Sequence, residues 1–451
     1  MRVFFRAAPA LAISVTVALA GIALGAEQQS FLPEPMPPGF LVVISELDGP
    51  IFAEAQGRTV YTWPRQNLRN GAVGEQQGRP ECGDTKYTET SGFMSPYPPG
   101  LELPEVETRP TCAEVWPPVL ASTADKPVGK WSLVDRKNGA KQWAYDGYPL
   151  YTSVLDERPG DTRGHGGRSA SFADSGAYRE LVRPRLDVPA QFGVFQTPTG
   201  RLLALSNGYS VYSYDKDTPT RSVCTGSCAM DWQPVVAAAT AVAKGDWSVI
   251  EREPGIKQWA FRKKPLYTRI REDKARSLEG SDFPGWHNVY VQPAPAWPRE
   301  FTVQTTHAGQ VLADARGTSL YFHNCTDDAL DQLACDHPGS PQAYRIAICG
   351  GGEVERCLAT FPYVLAPKDA KSVNRTWTIL DIDAKTGHPA AVGQAGVLRV
   401  WAYRGRPVFT YVGDKKPGQV VADGWGEYNG ARNGFKAFIL RDDFGALARG
   451  E

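Results

Sequence analysis

Four side chains in the last third of the sequence have the chemistry of a metal site. They occur as two mirrored triplets, His323-Asn-Cys325 and Cys335-Asp-His337. Two imidazoles and two thiolates form a ligand set that zinc or copper accepts, provided that the cysteines stay reduced. In an oxidising compartment the two cysteines are instead expected to form a disulfide across the short loop between them. We favour the disulfide and keep a zinc or copper site as the alternative.

The other cysteines also point to disulfide chemistry. Cys224 and Cys228 are close enough in sequence to form a strained, reducible bond like that of a redox dithiol. Their spacing is one residue longer than in thioredoxin-type motifs and no βαβ pattern surrounds them, so we expect a structural disulfide. Three connectivities exist for the last four cysteines, and the likeness of the segment 349–357 to the Cys224 loop selects one. The predicted pairs are Cys82 with Cys112, Cys224 with Cys228, Cys325 with Cys335, and Cys349 with Cys357.

No sequence motif of a catalytic site accompanies these cysteines. The glycine-rich segment 349–357 lacks the strand-to-helix frame and the following Lys-Ser/Thr of a phosphate-binding loop. The sequence also lacks the Gly-x-Ser-x-Gly, His-Glu-x-x-His and Cys-x-x-Cys-His patterns. We therefore predict no catalytic residue and no cofactor, and we favour a protein that is not an enzyme.

The cysteines lie in segments that lead into a repeated sequence, which we call the cassette. It reads WSLVDRKNGAKQWAYDGYPLY at 131–151 and returns as WSVIEREPGIKQWAFRKKPLY at 247–267, with a looser copy at 377–409. Apolar and polar residues that alternate between Gly, Pro and Asn breaks are typical of short antiparallel strands joined by tight turns. The cassette is therefore predicted to form a three-stranded meander.

Each cassette is preceded by another set of three short strands. Turns that contain glycine separate these strands at 41–63, 192–214 and 301–323, and glycine supplies the positive φ angle that tight hairpins need. We predict an all-β fold of three tandem small antiparallel β domains, each built from two meanders that face each other across a Trp-rich core. Six meanders arranged as propeller-like blades are the alternative, because six similar sheets can close radially.

One tryptophan recurs in the middle strand of every cassette. Trp143, Trp259 and Trp401 each precede an alanine and lie two residues before an aromatic residue. Residues two apart on a strand share a face, so we expect these tryptophans to face the core of each domain. An exposed aromatic strip that binds a ligand or partner is the alternative.

The N-terminus has the features of a secretory signal peptide. Arg2 and Arg6 precede an apolar run at 10–24, and the small-residue pattern that signal peptidase cuts ends at Gly25-Ala26. The run is short for a membrane span. We expect cleavage near this point, a mature chain without a membrane span, and a periplasmic or secreted location in which cysteines oxidise.

The composition excludes some partners and suggests several domains. The 451 residues include 49 Lys and Arg against 49 Asp and Glu, with no basic block, so nucleic acid and anionic membranes are poor candidates. The 45 Gly and 36 Pro fit a turn-rich β protein, and Pro-rich segments suggest the boundaries. The predicted organisation is a signal peptide at 1–26, a Pro-rich spacer at 27–38, and repeat domains at 39–183, 190–293 and 299–446.

Several predicted strands carry an aromatic residue followed five residues later by an acid. The clearest copy is Tyr212-Ser-Tyr214-Asp-Lys-Asp217, and Cys-x3-Cys-Ala-x-x-Trp-x-Pro follows it from Cys224. These residues resemble a family of secreted repeats of unknown function, found in predicted bacterial lipoproteins and exported proteins and described by a Tyr-x4-Asp or Tyr-x-aromatic-x-x-Asp motif. Further copies are Tyr151 with Asp156, Tyr267 with Glu272, and Phe409 with Asp414, whereas Tyr61 is followed by Gln66 and Tyr321 by Thr326.

The resemblance covers almost all of the mature chain as three units and implies no established activity, although similar proteins are loosely linked to alkane breakdown. We expect the motif aromatic residues to be buried, and the acid to accept backbone N–H bonds in the following turn; a repeated ligand site is the alternative. The sequence thus favours an exported, non-catalytic protein of the bacterial cell envelope that binds an unidentified envelope protein or small ligand. The alternative is a metal-binding or redox accessory protein that uses the third repeat, linked to electron transfer or alkane catabolism.

Overall fold

Short hairpins form most of the regular structure of this protein, for which we analysed a computed structural model. The residues described are 31–68, 71–84, 111–165, 179–306, 309–325, 345, 349–351, 353–426 and 433–441. Within these ranges, the strands fall into three consecutive chain segments, and every strand pairs only with strands of its own segment. We call these segments the first unit (40–181), the second unit (192–293) and the third unit (302–441).

The strands are short, and each unit also contains a helix of one or two turns. The first unit contains β1 Phe40–Ser45, β2 Gly49–Glu54, β3 Tyr61–Thr62, β4 Gln66–Leu68, β5 Gly71–Val73, α1 Cys112–Val115, β6 Trp131–Asp135, β7 Lys141–Tyr145, β8 Tyr148–Pro149 and β9 Glu180–Leu181. The second contains β10 Phe192–Thr197, β11 Gly200–Leu205, β12 Tyr212–Tyr214, α2 Cys228–Asp231, β13 Trp232–Pro234, β14 Val236–Ala237, β15 Trp247–Glu253, β16 Ile256–Phe261, β17 Lys264–Pro265, β18 Tyr267–Arg269, a 3₁₀ helix Glu279–Asp282, β19 Trp286–Asn288 and β20 Tyr290–Pro293. The third contains β21 Thr302–Thr306, β22 Gly309–Ala313, β23 Tyr321–Cys325, α3 Val354–Thr360, β24 Trp377–Asp383, β25 Val397–Tyr403, β26 Arg406–Phe409, β27 Asn433–Ala437 and β28 Ile439–Arg441.

The all-β prediction is confirmed, and each cassette forms the expected three-stranded antiparallel meander. The meanders are β6-β7-β8, β15-β16-β17 and β24-β25-β26. In the first meander, Asp146 and Gly147 join β7 to β8 with φ angles of 47° and 81°. Two positive φ angles match the twist of a two-residue hairpin, which explains the Asp-Gly sequence at this turn.

We call the part of each unit that precedes its cassette the opening half, and the cassette with the residues after it the closing half. The opening half differs from the expected meander. Its first two strands form a hairpin, as β10 and β11 do. The next segment touches that hairpin through one bridge, between Ala204 and Ser210 in the second unit. It then leaves the hairpin, and Tyr212 pairs with Tyr267 of the closing half. The third strand of the opening half thus joins the two halves of the unit.

The recurring cassette tryptophans lie in the core, as expected. Trp143, Trp259 and Trp401 are 4, 7 and 2% exposed. Trp259 packs against Trp247 and Phe192, with ring centroids 5.8 and 6.0 Å away. The alanine that follows each tryptophan is also fully buried, so both faces of the middle strand are covered. Independent folding of the predicted domains stays a prediction.

The turn between β1 and β2 brings the three units into contact. Nε2 of Gln292 in the second unit donates to the carbonyl oxygen of Ser45 at 3.0 Å. From the third unit, the backbone N–H and the hydroxyl of Thr376 donate to Oε2 of Glu46, both at 2.9 Å. This one turn of the first unit therefore contacts both other units.

Ion pairs strengthen the contacts between units. Asp48 is buried beside Arg183 at 3.3 Å and beside Arg404 of the third unit at 3.7 Å. Burial alone would raise the pKa of Asp48, but the two guanidinium groups hold it well below its usual range. Arg441 of the third unit also forms a bidentate pair with Asp282 of the second, at 2.9 and 3.0 Å. The three units therefore pack against one another and are not connected by linkers alone.

Candidate functional site

The motif tyrosines meet in pairs at the centre of each unit. Across antiparallel backbone bridges, Tyr61 pairs with Tyr151, Tyr212 with Tyr267, and Tyr321 with Phe409. All of these rings are buried. One member of each pair comes from the opening half and the other from the closing half, so the two halves of a unit are joined at this point.

Each of these tyrosine hydroxyls donates to an acid of the opposite half, rather than to the acid of its own motif. The bonds are Tyr61 to Asp156 (2.8 Å), Tyr212 to Glu272, Tyr267 to Asp217 (2.6 Å) and Tyr321 to Asp414 (2.7 Å). We call such a contact a crossed pair. The tyrosine and the acid of one sequence motif therefore take part in two different hydrogen bonds, each with a partner from the other half of the unit.

Crossed pairing accounts for the copies that depart from the motif. No acid lies five residues after Tyr61, and Tyr151 instead donates to Glu75, which a longer loop carries to the equivalent place, at 2.5 Å. Phe409 has no hydroxyl to donate, and Thr326 stands where its partner acid would be. The hydroxyl and the acid are thus lost together, as a crossed pair requires. The role of Glu75 was not predicted, since it lies outside the motif spacing.

Two of the motif carboxylates, Asp156 and Glu272, are buried and also accept backbone hydrogen bonds. The N–H of Arg163, seven residues after Asp156, donates to it at 2.8 Å, and the N–H of Ser210 donates to Glu272 at 3.2 Å. The donor and acceptor of these bonds are 7 and 62 residues apart in the sequence, farther than in the local turn that was expected. Burial raises the pKa of Asp156 and of Glu272 to about 7, although the hydrogen bond from the tyrosine acts in the opposite direction. Both acids therefore titrate near neutral pH.

This geometry favours the structural interpretation of the motif. The hydroxyl and the carboxylate of each crossed pair satisfy each other in the interior. The second aromatic residue of the clearest copy, Tyr214, stacks on Trp286 with ring centroids 4.5 Å apart. Since these groups already have partners within the fold, the motif holds the half-units together and offers little to a ligand.

Three of the four predicted cysteine pairs lie at disulfide distance. The Cα atoms are 5.3 Å apart for Cys82 and Cys112, 5.2 Å for Cys224 and Cys228, and 4.5 Å for Cys349 and Cys357. In each pair the second cysteine lies in the short helix of its unit, so the bridge fixes the helix that leads into the next buried aromatic residue. The fourth predicted pair, Cys325 with Cys335, lies outside the described side chains.

Among the candidate metal ligands, His323 is buried in the third unit with 8% of its surface exposed. Its Nε2 atom has no hydrogen-bond partner in the described part of the chain. Burial, aided by Arg345 and Arg406, lowers its pKa to about 3, so the ring is neutral. No cluster of three potential metal ligands occurs within the described ranges. Since Cys335 and His337 lie outside those ranges, the zinc or copper site stays a prediction.

His323 lines a cavity of about 140 Å³ between the first and third units. Part of the cavity lining is apolar, and both units contribute to that part. The apolar lining comes from Val154 and Leu155 of the first unit and from Leu380, Ile382, Pro389, Pro407 and Phe409 of the third. Because the walls belong to two units, the cavity exists only when these units are packed together.

Basic side chains dominate the polar part of the cavity. Arg345, Arg404 and Arg406 line it and are 3, 8 and 4% exposed. Arg163 of the first unit also lines it and forms an ion pair with Glu157 at 2.7 Å. Guanidinium groups that lose their hydration are costly unless an acceptor replaces the water. Among the described residues that line the cavity, four arginines and one carboxylate, Glu157, carry formal charge.

Sequence reasoning identified His323 but missed Arg345, Tyr363 and Arg406. A weak signal for Arg406 is present in the cassette alignment, since Tyr148 and Lys264 occupy the same repeat position in the other units. Lys264 is exposed, whereas Arg406 is buried in the lining of a cavity to which the first unit also contributes. The alignment alone cannot reveal that difference in burial.

Two segments, residues 132–169 and 193–236, match the sequence profile of a family described as a secreted repeat of unknown function. The first segment contains Tyr151 and Asp156 of a closing half, and the second contains Tyr212 and Asp217 of an opening half. The predicted family resemblance is confirmed over these segments, which cover about a quarter of the first unit and about two fifths of the second. No curated protein and no solved structure matches the chain.

The family match and the disulfide-distance cysteine pairs are consistent with a protein located outside the cytoplasm. In the part of the chain that the structure describes, no helix has the length and apolar character needed to span a membrane.

Proposed function

We propose that this protein is an exported, non-catalytic repeat protein that binds a small ligand in the cavity between its first and third units. The observation that carries the proposal is the state of His323 and Tyr363. Both line the cavity and both are at least nine-tenths buried; His323 Nε2 has no hydrogen-bond partner among the described residues, and the Tyr363 hydroxyl lies beside the Arg345 guanidinium. An unsatisfied buried polar group costs about 1–3 kcal/mol, and a ligand can remove that cost.

The motif residues support the non-catalytic part of the proposal. The acids with pKa values near 7, Asp156 and Glu272, each accept a hydrogen bond from a buried tyrosine, which leaves them poorly placed to exchange protons with a substrate. Among the described residues that line the cavity, the carboxylate is Glu157, which forms an ion pair with Arg163. Binding requires no further chemistry from any of these groups.

The location of the protein is also part of the proposal. A match to secreted repeats and the disulfide-distance pairs support export. We place the mature protein in the periplasm after cleavage near Gly25-Ala26, where it would take up a small molecule of that compartment or of the medium. Ligand binding would stabilise the contact between the first and third units, because both supply the walls of the cavity.

The proposal is tested by blocking the cavity without disturbing the crossed pairs. Leu380 is half-buried and lines the cavity, so Leu380→Trp should fill much of it. Val242 lies in the second unit and is 73% exposed, which makes Val242→Trp a matched control for the added indole. Each purified protein is dialysed against a small-molecule extract of the periplasm, and the retained molecules are identified by mass spectrometry.

Wild type and Val242→Trp are expected to retain the same small molecule, and Leu380→Trp is expected to lose it. Circular dichroism verifies that Leu380→Trp is folded. Equal retention by all three proteins would place binding elsewhere, and no retention by the wild type would contradict the proposed function.

A further inference from the structure

His323 lies on the wall of the cavity between the first and third units, and its hydrogen bonding is incomplete. The side chain is more than nine-tenths buried, and its Nε2 atom has no hydrogen-bond partner among the described residues. Phe435 of β27 packs against the ring, with ring centroids 5.2 Å apart. The imidazole is thus held in place and can still form a hydrogen bond with a ligand.

Strand pairing places an apolar surface beside this ring. β23 pairs with β26 in antiparallel register, with Tyr321 opposite Phe409. The same register places His323 opposite Pro407. Residues two apart on a strand share a face, and both Pro407 and Phe409 line the cavity. The polar ring and the apolar surface therefore belong to one face of two neighbouring strands.

We infer that the cavity binds a small uncharged molecule with an apolar body and one hydroxyl group, which forms a hydrogen bond with His323; this inference rests on the proposed binding function. A neutral imidazole has one donor nitrogen and one acceptor nitrogen, and a hydroxyl group can bond to either, because it both donates and accepts. The match therefore holds whichever ring nitrogen carries the proton.

The arginines of the lining do not call for a charged ligand. Within the described residues, all four arginines that line the cavity already interact with other groups of the protein. The contacts described are Arg163 with Glu157, Arg404 with Asp48 and the carbonyl oxygen of Thr162, and Arg345 with Tyr363 and the carbonyl oxygen of Thr386. An ion that enters this space loses its hydration, and an arginine would have to give up or share a contact to replace it. A neutral ligand requires no such exchange.

The volume and the walls determine the apolar body. A cavity of about 150 Å³ in another protein holds benzene, and the cavity described here has about 140 Å³. Leu380 and Ile382, two residues apart on β24, line it from the third unit, and Val154 and Leu155 line it from the first. An apolar body removes these walls from water. The ligand is therefore of the size of phenol or of a short alcohol.

The test compares probes of nearly the same shape. The full mature protein is titrated calorimetrically with phenol, with toluene, in which a methyl group replaces the hydroxyl, and with benzoate. At about pH 7 phenol is uncharged and benzoate is an anion. The protein variant is His323→Leu. His287 of the second unit is exposed, so His287→Leu is the matched control.

The ratio of the toluene and phenol dissociation constants is the quantity compared, because toluene leaves water more readily than phenol. This ratio is expected to be equal in the wild type and His287→Leu, and about tenfold lower in His323→Leu, as for the loss of one hydrogen bond to a buried group. Benzoate is expected to bind the wild type more weakly than phenol.

A second measurement replaces the variant if His323→Leu does not fold. The sequence contains 6 histidines, and their ring-nitrogen signals are followed by NMR in the wild type. Phenol is expected to shift the signals of one histidine clearly more than toluene does. Equal shifts with both probes would overturn the inference.

The calorimetric experiment has further outcomes that would overturn it. An unchanged ratio in His323→Leu, or benzoate that binds the wild type as tightly as phenol, would refute this ligand class and leave the proposed binding function intact. Failure of all three probes to bind would also refute the ligand class, and the dialysis experiment would then decide separately whether the cavity binds any small molecule.

Discussion

Crossed pairing predicts a measurable coupling free energy between residues that are far apart in the sequence. Tyr61 and Asp156 are separated by 95 positions, yet the hydroxyl lies 2.8 Å from the carboxylate and both side chains are buried. We therefore predict that Tyr61→Phe and Asp156→Asn are energetically coupled in a double-mutant cycle.

The size of the coupling follows from the charge of the acceptor. Burial raises the pKa of Asp156 to about 7, so the carboxylate is mostly ionised near pH 8 and mostly protonated near pH 5. A hydrogen bond to a charged group contributes about 1.5–3 kcal/mol, against about 1 kcal/mol between neutral groups. We expect a coupling of about 2 kcal/mol near pH 8 that falls to about 1 kcal/mol near pH 5.

The assay is urea unfolding of the wild type, both single variants and the double variant at each pH. The control cycle combines Tyr151→Phe with Asp156→Asn, which are partners in the sequence motif but not in a crossed pair. Its coupling should stay below about 0.5 kcal/mol, as for residues that share no contact. A larger coupling in the control cycle than in the Tyr61 cycle would refute crossed pairing.

Two further predictions concern stability in the second unit. Burial raises the pKa of Glu272 from 4.5 to about 7, so the folded state binds the extra proton between these values and the free energy of unfolding should fall as pH rises through this window. Its contribution reaches at most about 3 kcal/mol, and urea unfolding of Glu272→Gln should show a flatter pH profile; a slope equal to that of the wild type would contradict the assignment. Trp259→Ala should cost about 3–5 kcal/mol because it empties a core position against Trp247 and Phe192. A thermal melt shifted by less than about 2 °C would show that this tryptophan is not a core residue.

The sequence was informative wherever local patterns determine the structure. Turn residues and alternation predicted the cassette meanders, and the spacing of Cys224 and Cys228 predicted their pairing. The burial of Trp143, Trp259 and Trp401 followed from their repetition, because a thin β core needs large side chains at fixed positions.

Contacts between distant strands were beyond the reach of these patterns. The motif spacing suggests that Tyr212 acts with Asp217, but the antiparallel pairing of Tyr212 with Tyr267 exchanges the acids. The phenylalanine at 409 and the missing acid at 326 were the one available sign of that exchange. Interpreting it requires knowledge of which strands are neighbours, which one sequence does not contain.

The cavity was unpredictable for a related reason. Arg406 occupies a position that is a surface lysine in the second unit, but its own side chain is buried and lines a cavity to which the first unit also contributes. Val154 and Leu155 of the first unit line the same cavity. The cavity forms where the surfaces of two units meet, and the local alternation of apolar and polar residues does not show which surfaces will meet.

The most direct test of the proposed site is to locate a bound probe. Crystals of the mature protein held under xenon pressure would reveal, through the anomalous scattering of xenon, which buried space a small ligand can enter. We expect one strong xenon site between the first and third units, against Phe409 and Leu380. A xenon site beside the crossed pairs, such as Tyr212 and Glu272, with the cavity left empty would contradict the account.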